Sequence, residues 1–360
     1  MPLIWCAISG HGYGHAAQVV PVLNELGREI PNLTVLLRTT VSASFFHDRL
    51  TIPWTLQSVQ QDVGCIQNGP LDIDIPATWN ALDEFHAGWD ARVAVEAKAM
   101  KMAAPAIVLA DTPYLAASAA KQAGISSAVV ASFTWTDVLD CFTDPQSPHH
   151  HTILAAVQKA YGDADVGLRI APGLPMIGVK RVHDIGPIAE PAPSRPEELR
   201  SCLKLKNSER LVLVGFGGIP LNALPWHAME ELQGYHFIVD GAPAPASSRV
   251  HPLSALPFSF KTVLASADLV MTKPGYGTIV EAVALGLPVI YVRRFNFADE
   301  GSLVDFLLRH GCGHELSRED FFSGNWRPAF DALAERKAEG VRPSVTGATD
   351  AARFLSQYFQ

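Results

Sequence analysis

The sequence predicts an α/β protein of two doubly wound parallel-sheet domains. Three observations carry that expectation. Short, continuous apolar runs alternate with segments of helical period in both halves of the chain, the pattern of buried parallel strands and their crossover helices. A proline-rich stretch, Gly186–Pro196 (GPIAEPAPSRP), interrupts the alternation near the middle, and such a segment is semi-rigid and does not sit inside a sheet. The length, 360 residues, suits two domains of ordinary size. The expected boundaries are a first domain over 1–188, a linker over 189–196, a second domain over 197–343 and a C-terminal helical segment over 344–360.

Residues 3–8 (LIWCAI) read as a strand, SGHGYGH as the loop after it, and Ala16–Glu29 as a helix with Val19, Val20, Leu23 and Leu26 at helical spacing. Leu33–Leu37 is the next strand, completing a strand–loop–helix–strand unit. Asp83–Met102 reads as one helix, Ala106–Ala110 as a strand ending at Asp111, Pro113–Ala123 as a helix closed by Gly124, and Ser127–Ala131 as a strand. SPHHH at 147–151 reads as a polar loop whose histidines face solvent. After the linker come a strand (Leu211–Val214) ending in GFGG, a helix (Pro225–Leu232), a strand (His236–Val239) and a short helix (Phe260–Ala265). The segment ADLVMTKPGYGTIVEAVALGLPVIYVRR then reads as strand Leu269–Met271, a Gly/Pro turn, helix Thr278–Leu285 and strand Val289–Val292. Leu303–His310 is a helix, and Thr349–Phe359 is a helix expected to cross back onto the first domain.

At 48% hydrophobic and 18% charged residues the chain has apolar material for two cores. With 28 Lys and Arg against 36 Asp and Glu, the net charge of −8 gives no global attraction to nucleic acid or anionic lipid. The cysteines (Cys6, Cys65, Cys141, Cys202, Cys312) are scattered, odd in number and never spaced CxxC, which points to reduced thiols in a cytoplasmic protein rather than a zinc site or disulfide set. MPLIWCAISG has no basic n-region and reads as the first strand, not a leader. The best apolar run is interrupted by Asp111 and Lys121, so no membrane span is expected.

Five glycine-marked or acidic segments sit where strands end, the position at which ligands bind open α/β sheets. In Gly10-His11-Gly12-Tyr13-Gly14-His15 the glycines permit a tight turn and close backbone approach; a histidine at the mouth of the first strand can take a proton from a hydroxyl, or the loop can be a turn only. Asp111 can orient such a histidine, or act as the N-cap of the helix behind Pro113. Gly215-Phe216-Gly217-Gly218 can bring amides near a phosphate. Gly275, Tyr276, Gly277 and Thr278 can offer N–H groups at a helix N-terminus to a diphosphate, with Lys273 adding charge. Glu281 can accept from a ribose diol, or complete a capping box with Thr278. Asp299 and Glu300 suit sugar hydroxyls, or cap the following helix.

Taken together, TKPGYGTIVEAVALGLPVIYV resembles the donor-binding signature of the GT-B-fold glycosyltransferases. It looks most like the branch that holds the peptidoglycan N-acetylglucosaminyltransferase and the N-terminal half of L-arabinokinase. GHGYGH (10–15) and ADTPYLAASAAKQAGI (110–125) resemble further segments of that fold. The resemblance implies two Rossmann-like domains facing a cleft and hexosyl-type transfer from a nucleoside-diphosphate sugar, UDP-linked, to an acceptor hydroxyl. It implies His15 as base with Asp111 as its carboxylate partner; His11, in the same loop with Gly12 and Gly14, is an extra histidine and a second candidate base. Gly217, Gly218, Gly275, Gly277 and Thr278 would seat the diphosphate, with Lys273, from its own chemistry, adding charge; Glu281 would hold the ribose, and Asp299 and Glu300 the sugar. No cofactor and no metal are implied. Lys273-Pro274 departs from the usual approach to the turn, and Arg249–Phe260 lacks the family's base-binding signature. Two other readings stay open: an epimerase or hydrolase of nucleotide sugars, marked by product from donor alone, and a silent nucleotide-sugar-binding module, marked by binding without product.

Overall fold

The computed structural model describes residues 1–217, 224–241, 247–294, 296–334 and 340–359. They form two α/β units, each with one parallel sheet. The first sheet has seven strands: β1 (Leu3–Ala7), β2 (Thr34–Arg38), β3 (Trp54–Gln57), β4 (Ile107–Ala110), β5 (Ser127–Ala131), β6 (Val166–Ile170) and β7 (Val182–Ile185), in the order β3-β2-β1-β4-β5-β6-β7. The second has six: β8 (Arg210–Val214), β9 (Tyr235–Val239), β10 (Val250–Pro252), β11 (Leu269–Thr272), β12 (Val289–Tyr291) and β13 (Gly313–Glu315), in the order β10-β9-β8-β11-β12-β13. Central strands such as β4 and β11 are buried along their whole length. Apolar cores cover both faces of each sheet, and this is why the sequence shows unbroken apolar runs there.

Four strands lie outside those runs. β3 alternates half-buried and exposed residues, β7 (VHDI) is half exposed, and β10 is three residues ending in Pro252. These three are edge strands, where one-sided cover removes the apolar signal. β6 carries Gly167 and Arg169 in an otherwise apolar strand.

Two expectations are corrected. The single helix over 83–102 is two helices, Ile75–His86 and Trp89–Ala103, with Gly88 at the N-cap of the second; a glycine inside a helix costs about 1 kcal/mol, so the chain breaks there. The SPHHH segment opens a helix, Pro148–Tyr161. The Ser147 hydroxyl accepts from the His150 N–H and Pro148 takes the first turn, the serine cap and early proline that favour a helix start. His149 lies 2.5 Å from Asp83, and the His150 ring stacks on Trp79 at 3.9 Å between centroids.

Reversal of strand order puts a switch point between β1 and β4 in the first sheet and between β8 and β11 in the second. The His11/His15 loop and Asp111 follow β1 and β4. Gly217 and Lys273 follow β8 and β11. The two switch points face each other, and residues from both line one cavity.

Three ties join the units. The helix Tyr276–Leu285 shares a core with the first helix, Gly14–Glu29, through Tyr276 and Val280. A strap from the first unit, closed by the antiparallel bridge Gln67↔Ile73, puts Leu71 into the core of the second, and Arg318 clasps Asp72 there with two bonds of 2.8 Å. The late helix Gly347–Leu355 packs Ala351, Ala352 and Leu355 into the first unit's core, and Asp350 accepts the Gly186 N–H at 3.1 Å.

Candidate active site

The cavity between the units has a volume of about 490 Å³. Its first wall starts at β1. Beyond Ser9 the chain turns through Gly10–Gly14 (Gly12 at φ +79°, a conformation glycine adopts without strain) and enters the first helix, with Tyr13 at its N-cap. This places His15 in the first turn, 8% exposed, with Nδ1 2.7 Å from Asp111 Oδ2. Asp111 is fully buried behind it, its N–H donating to the Ala7 carbonyl. The helix after Pro113 has no side-chain cap, so Asp111 serves His15 and not that helix. Burial would push the His15 pKa down. The charge of Asp111 and its bonding to the ring, helped by Asp62 and Asp299, outweigh this and raise it above the usual value. With Nδ1 turned to Asp111, Nε2 is the ring nitrogen left for a substrate.

His11 is a different group. Its Nε2 accepts from the Gln67 amide at 2.9 Å, and burial, then His15, Lys273 and Arg294, lower its pKa to about 3. It stays neutral at ordinary pH and is a weak proton acceptor.

The opposite wall is the N-terminus of the Tyr276–Leu285 helix. Gly275 is its N-cap with no side-chain cap bond, so the first N–H groups face the cavity without an intrahelical partner. Gly275, Tyr276, Gly277 and Thr278 line it. Lys273 lines it too, and burial, then Arg294, lower its pKa to about 7 against the opposing pull of Asp299 and Glu300. Gly217, at φ +76°, passes close to the Lys273 stem. Gly218 lies outside the described residues.

Three predicted donor residues stand differently. Asp299 lines the cavity and takes Arg294 Nη2 at 3.3 Å. Glu300 is buried beneath, with Oε1 accepting the Arg294 N–H at 2.6 Å and Nε at 3.1 Å. Glu281 is not among the cavity-lining residues; its carboxylate pairs with Lys261 at 2.9 Å. It completes no capping box, because the helix begins at Tyr276 and Thr278 is already inside it.

Sequence reasoning missed Arg294, Asp62 and Trp135. Arg294 donates to the Pro274 carbonyl at 2.6 Å, lies 3.8 Å from the centre of the Phe297 ring, and gives the seat its second cation. Its position at the end of β12 was the available signal, the same one that marked Asp111. Asp62 sits in an irregular segment with no local signature.

The architecture is that of the GT-B glycosyltransferases. Among solved structures, the calicheamicin glycosyltransferase CalG4 superposes with a TM-score of 0.67 at 17% identity over 99% of this chain and 98% of that one. UGT89C1 of Arabidopsis thaliana, complexed with UDP-L-rhamnose, gives 0.62 at 14% identity over 100% and 99% of the two chains. UGT2 of Phytolacca americana, complexed with UDP-2-fluoro-glucose and pterostilbene, gives 0.61 at 16% identity over 99% and 94%. In sequence, L-arabinokinase of Arabidopsis thaliana is 25% identical over 98% of this chain; the chain spans about a third (34%) of that relative's length. No family model matches. Among the described residues no helix is long and apolar enough to cross a membrane.

Proposed function

We propose that the protein is a glycosyltransferase that moves a sugar from a nucleoside-diphosphate sugar to an acceptor hydroxyl, with His15 as general base. The observation that supports this most is a carboxylate-backed histidine facing a cationic helix N-terminus across one cavity. His15 Nε2 takes the acceptor proton as the hydroxyl oxygen bonds to the anomeric carbon. The bond from that carbon to the diphosphate oxygen breaks, and the leaving oxygen carries away the electron pair. Asp111 stabilises the imidazolium that forms. Negative charge on the leaving group meets the 276–278 amides, Lys273 and Arg294, which are already in place. These cations and amides are the charge partners that a divalent ion supplies elsewhere, which supports transfer without metal. UDP is the proposed nucleotide, since structurally similar proteins are complexed with UDP and UDP-sugars. Asp299 is the side chain placed to bond donor-sugar hydroxyls.

The test is UDP release from a panel of UDP-sugars with a panel of hydroxyl acceptors, in the presence of EDTA. The expected result is acceptor-dependent release that His15→Ala lowers by 10²-fold or more, roughly the size of a general-base contribution, while UDP still raises the melting temperature. Release that survives His15→Ala undiminished removes the base; release without acceptor turns the reading to a hydrolase.

A further inference from the structure

We infer that Asp62 is a second carboxylate of the proton-transfer apparatus, a positioning residue that fixes Trp135 against His15 and supports the imidazolium charge beside Asp111. The inference rests on the base reading of His15 given above. Asp62 lies between β3 and the strap, 5% exposed, in no helix or strand. Its three donors all come from segments that border the site. Ser9 Oγ donates to Oδ1 at 3.1 Å, and that same hydroxyl accepts the His11 N–H at 3.3 Å. Trp135 Nε1–H donates to Oδ2 at 2.6 Å, and its indole packs against the rings of both His11 (5.5 Å) and His15 (5.9 Å). Thr112 Oγ1 lies 3.4 Å from Oδ2 and an equal distance from Asp111 Oδ2, so one hydroxyl stands between the two carboxylates.

All three donors are neutral, and Asp62 is in no ion pair with lysine or arginine among the described residues. A buried carboxylate without a cation is costly. The charge that can offset it is the imidazolium of His15, the one positive group that acts on it among the described residues. Two buried like charges, Asp62 and Asp111, thus share one transient cation, which is the charge the transition state creates. Burial raises the Asp62 pKa to about 6, against its bonds from Trp135 and Ser9 and the pull of His15. The Asp62 carboxylate and the His15 imidazolium are therefore coupled, each favouring the charged form of the other. The other ionisable groups bearing on His15 are Asp111 after β4, Asp299 from the second unit and His11 in its own loop; Lys273 and Arg294 act on His11 from across the cavity.

The test is the His15 titration followed by ¹⁵N NMR in the full chain, wild type against Asp62→Asn. The amide keeps an acceptor for Trp135 and removes the charge. The expected result is a His15 midpoint lowered by roughly half a unit or more, with the Trp135 indole resonance retained and, in turnover, the acid limb moved to lower pH at unchanged donor KM. Ser9→Ala, which keeps the carboxylate but removes one donor, is expected to raise the Asp62 midpoint and lower that of His15 by less; it also serves if Asp62→Asn does not fold. A His15 midpoint unmoved in both variants overturns the inference and leaves the transferase reading standing. A shifted midpoint in a protein with no acceptor-dependent UDP release supports the charge coupling and removes the transferase reading.

Discussion

Lys273 is the residue whose titration should be most visible in binding. Burial, then Arg294, lower its pKa to about 7. A diphosphate favours the charged ammonium, so the bound pKa is higher. Binding then takes up a proton between the two values, and diphosphate affinity falls as pH rises through about 7. Calorimetry in buffers of different ionisation enthalpy should show that uptake, and Lys273→Met should abolish it. His15 has the opposite consequence for rate. Its pKa is raised in the folded protein, and a base works only when unprotonated, so transfer should fall as pH drops through that raised value. Of these residues, His15, Asp111 and Lys273 were legible because each sits at a strand end beside a local Gly or Pro pattern. Asp62 and Trp135 were not: they are 73 residues apart in sequence and acquire meaning only by touching.

At the level of elements, the Tyr276–Leu285 helix does two things with one turn. Its backbone forms the anion seat. Its first residue, Tyr276, donates to the Ala171 carbonyl at 2.8 Å and accepts the Ile188 N–H at 3.0 Å, so the seat is bolted to the first unit at two points. Tyr276→Phe removes both bonds and leaves buried groups unsatisfied, which should cost about 1–3 kcal/mol in chemical denaturation. It should also weaken UDP binding, since the seat loses its fixed orientation. The Thr278/Glu281 pattern shows where local reading stops. The same four residues describe a cap, a ribose ligand or neither; the helix starting at Tyr276 removes the cap, and the partner the carboxylate takes, Lys261, lies twenty positions upstream. Short strands were missed for a related reason: β7 and β10 owe their pairing to neighbours, not to an apolar run of their own.

For the whole molecule, the two-unit plan was readable because each sheet imprints its apolar strands and each switch point its glycines, whereas the strap was not, because nothing local marks Leu71 as a visitor to another core. That core contact and the Asp72–Arg318 clasp should set how readily the cleft opens. The clasp is partly exposed, so Arg318→Ala should cost less than about 1 kcal/mol. Leu71→Ala, with Leu71 3% exposed, should cost about 2 kcal/mol or more and raise the radius of gyration measured by X-ray scattering without UDP. The late helix Gly347–Leu355 has a consequence for synthesis. Ala351, Ala352 and Leu355 complete a core whose other members lie mostly between Ile4 and Ile188. During translation the first unit therefore emerges early but keeps an open apolar face while the second is made. It closes only when residue 355 has cleared the ribosome, so the nascent chain carries a long-lived sticky surface that the finished protein never displays.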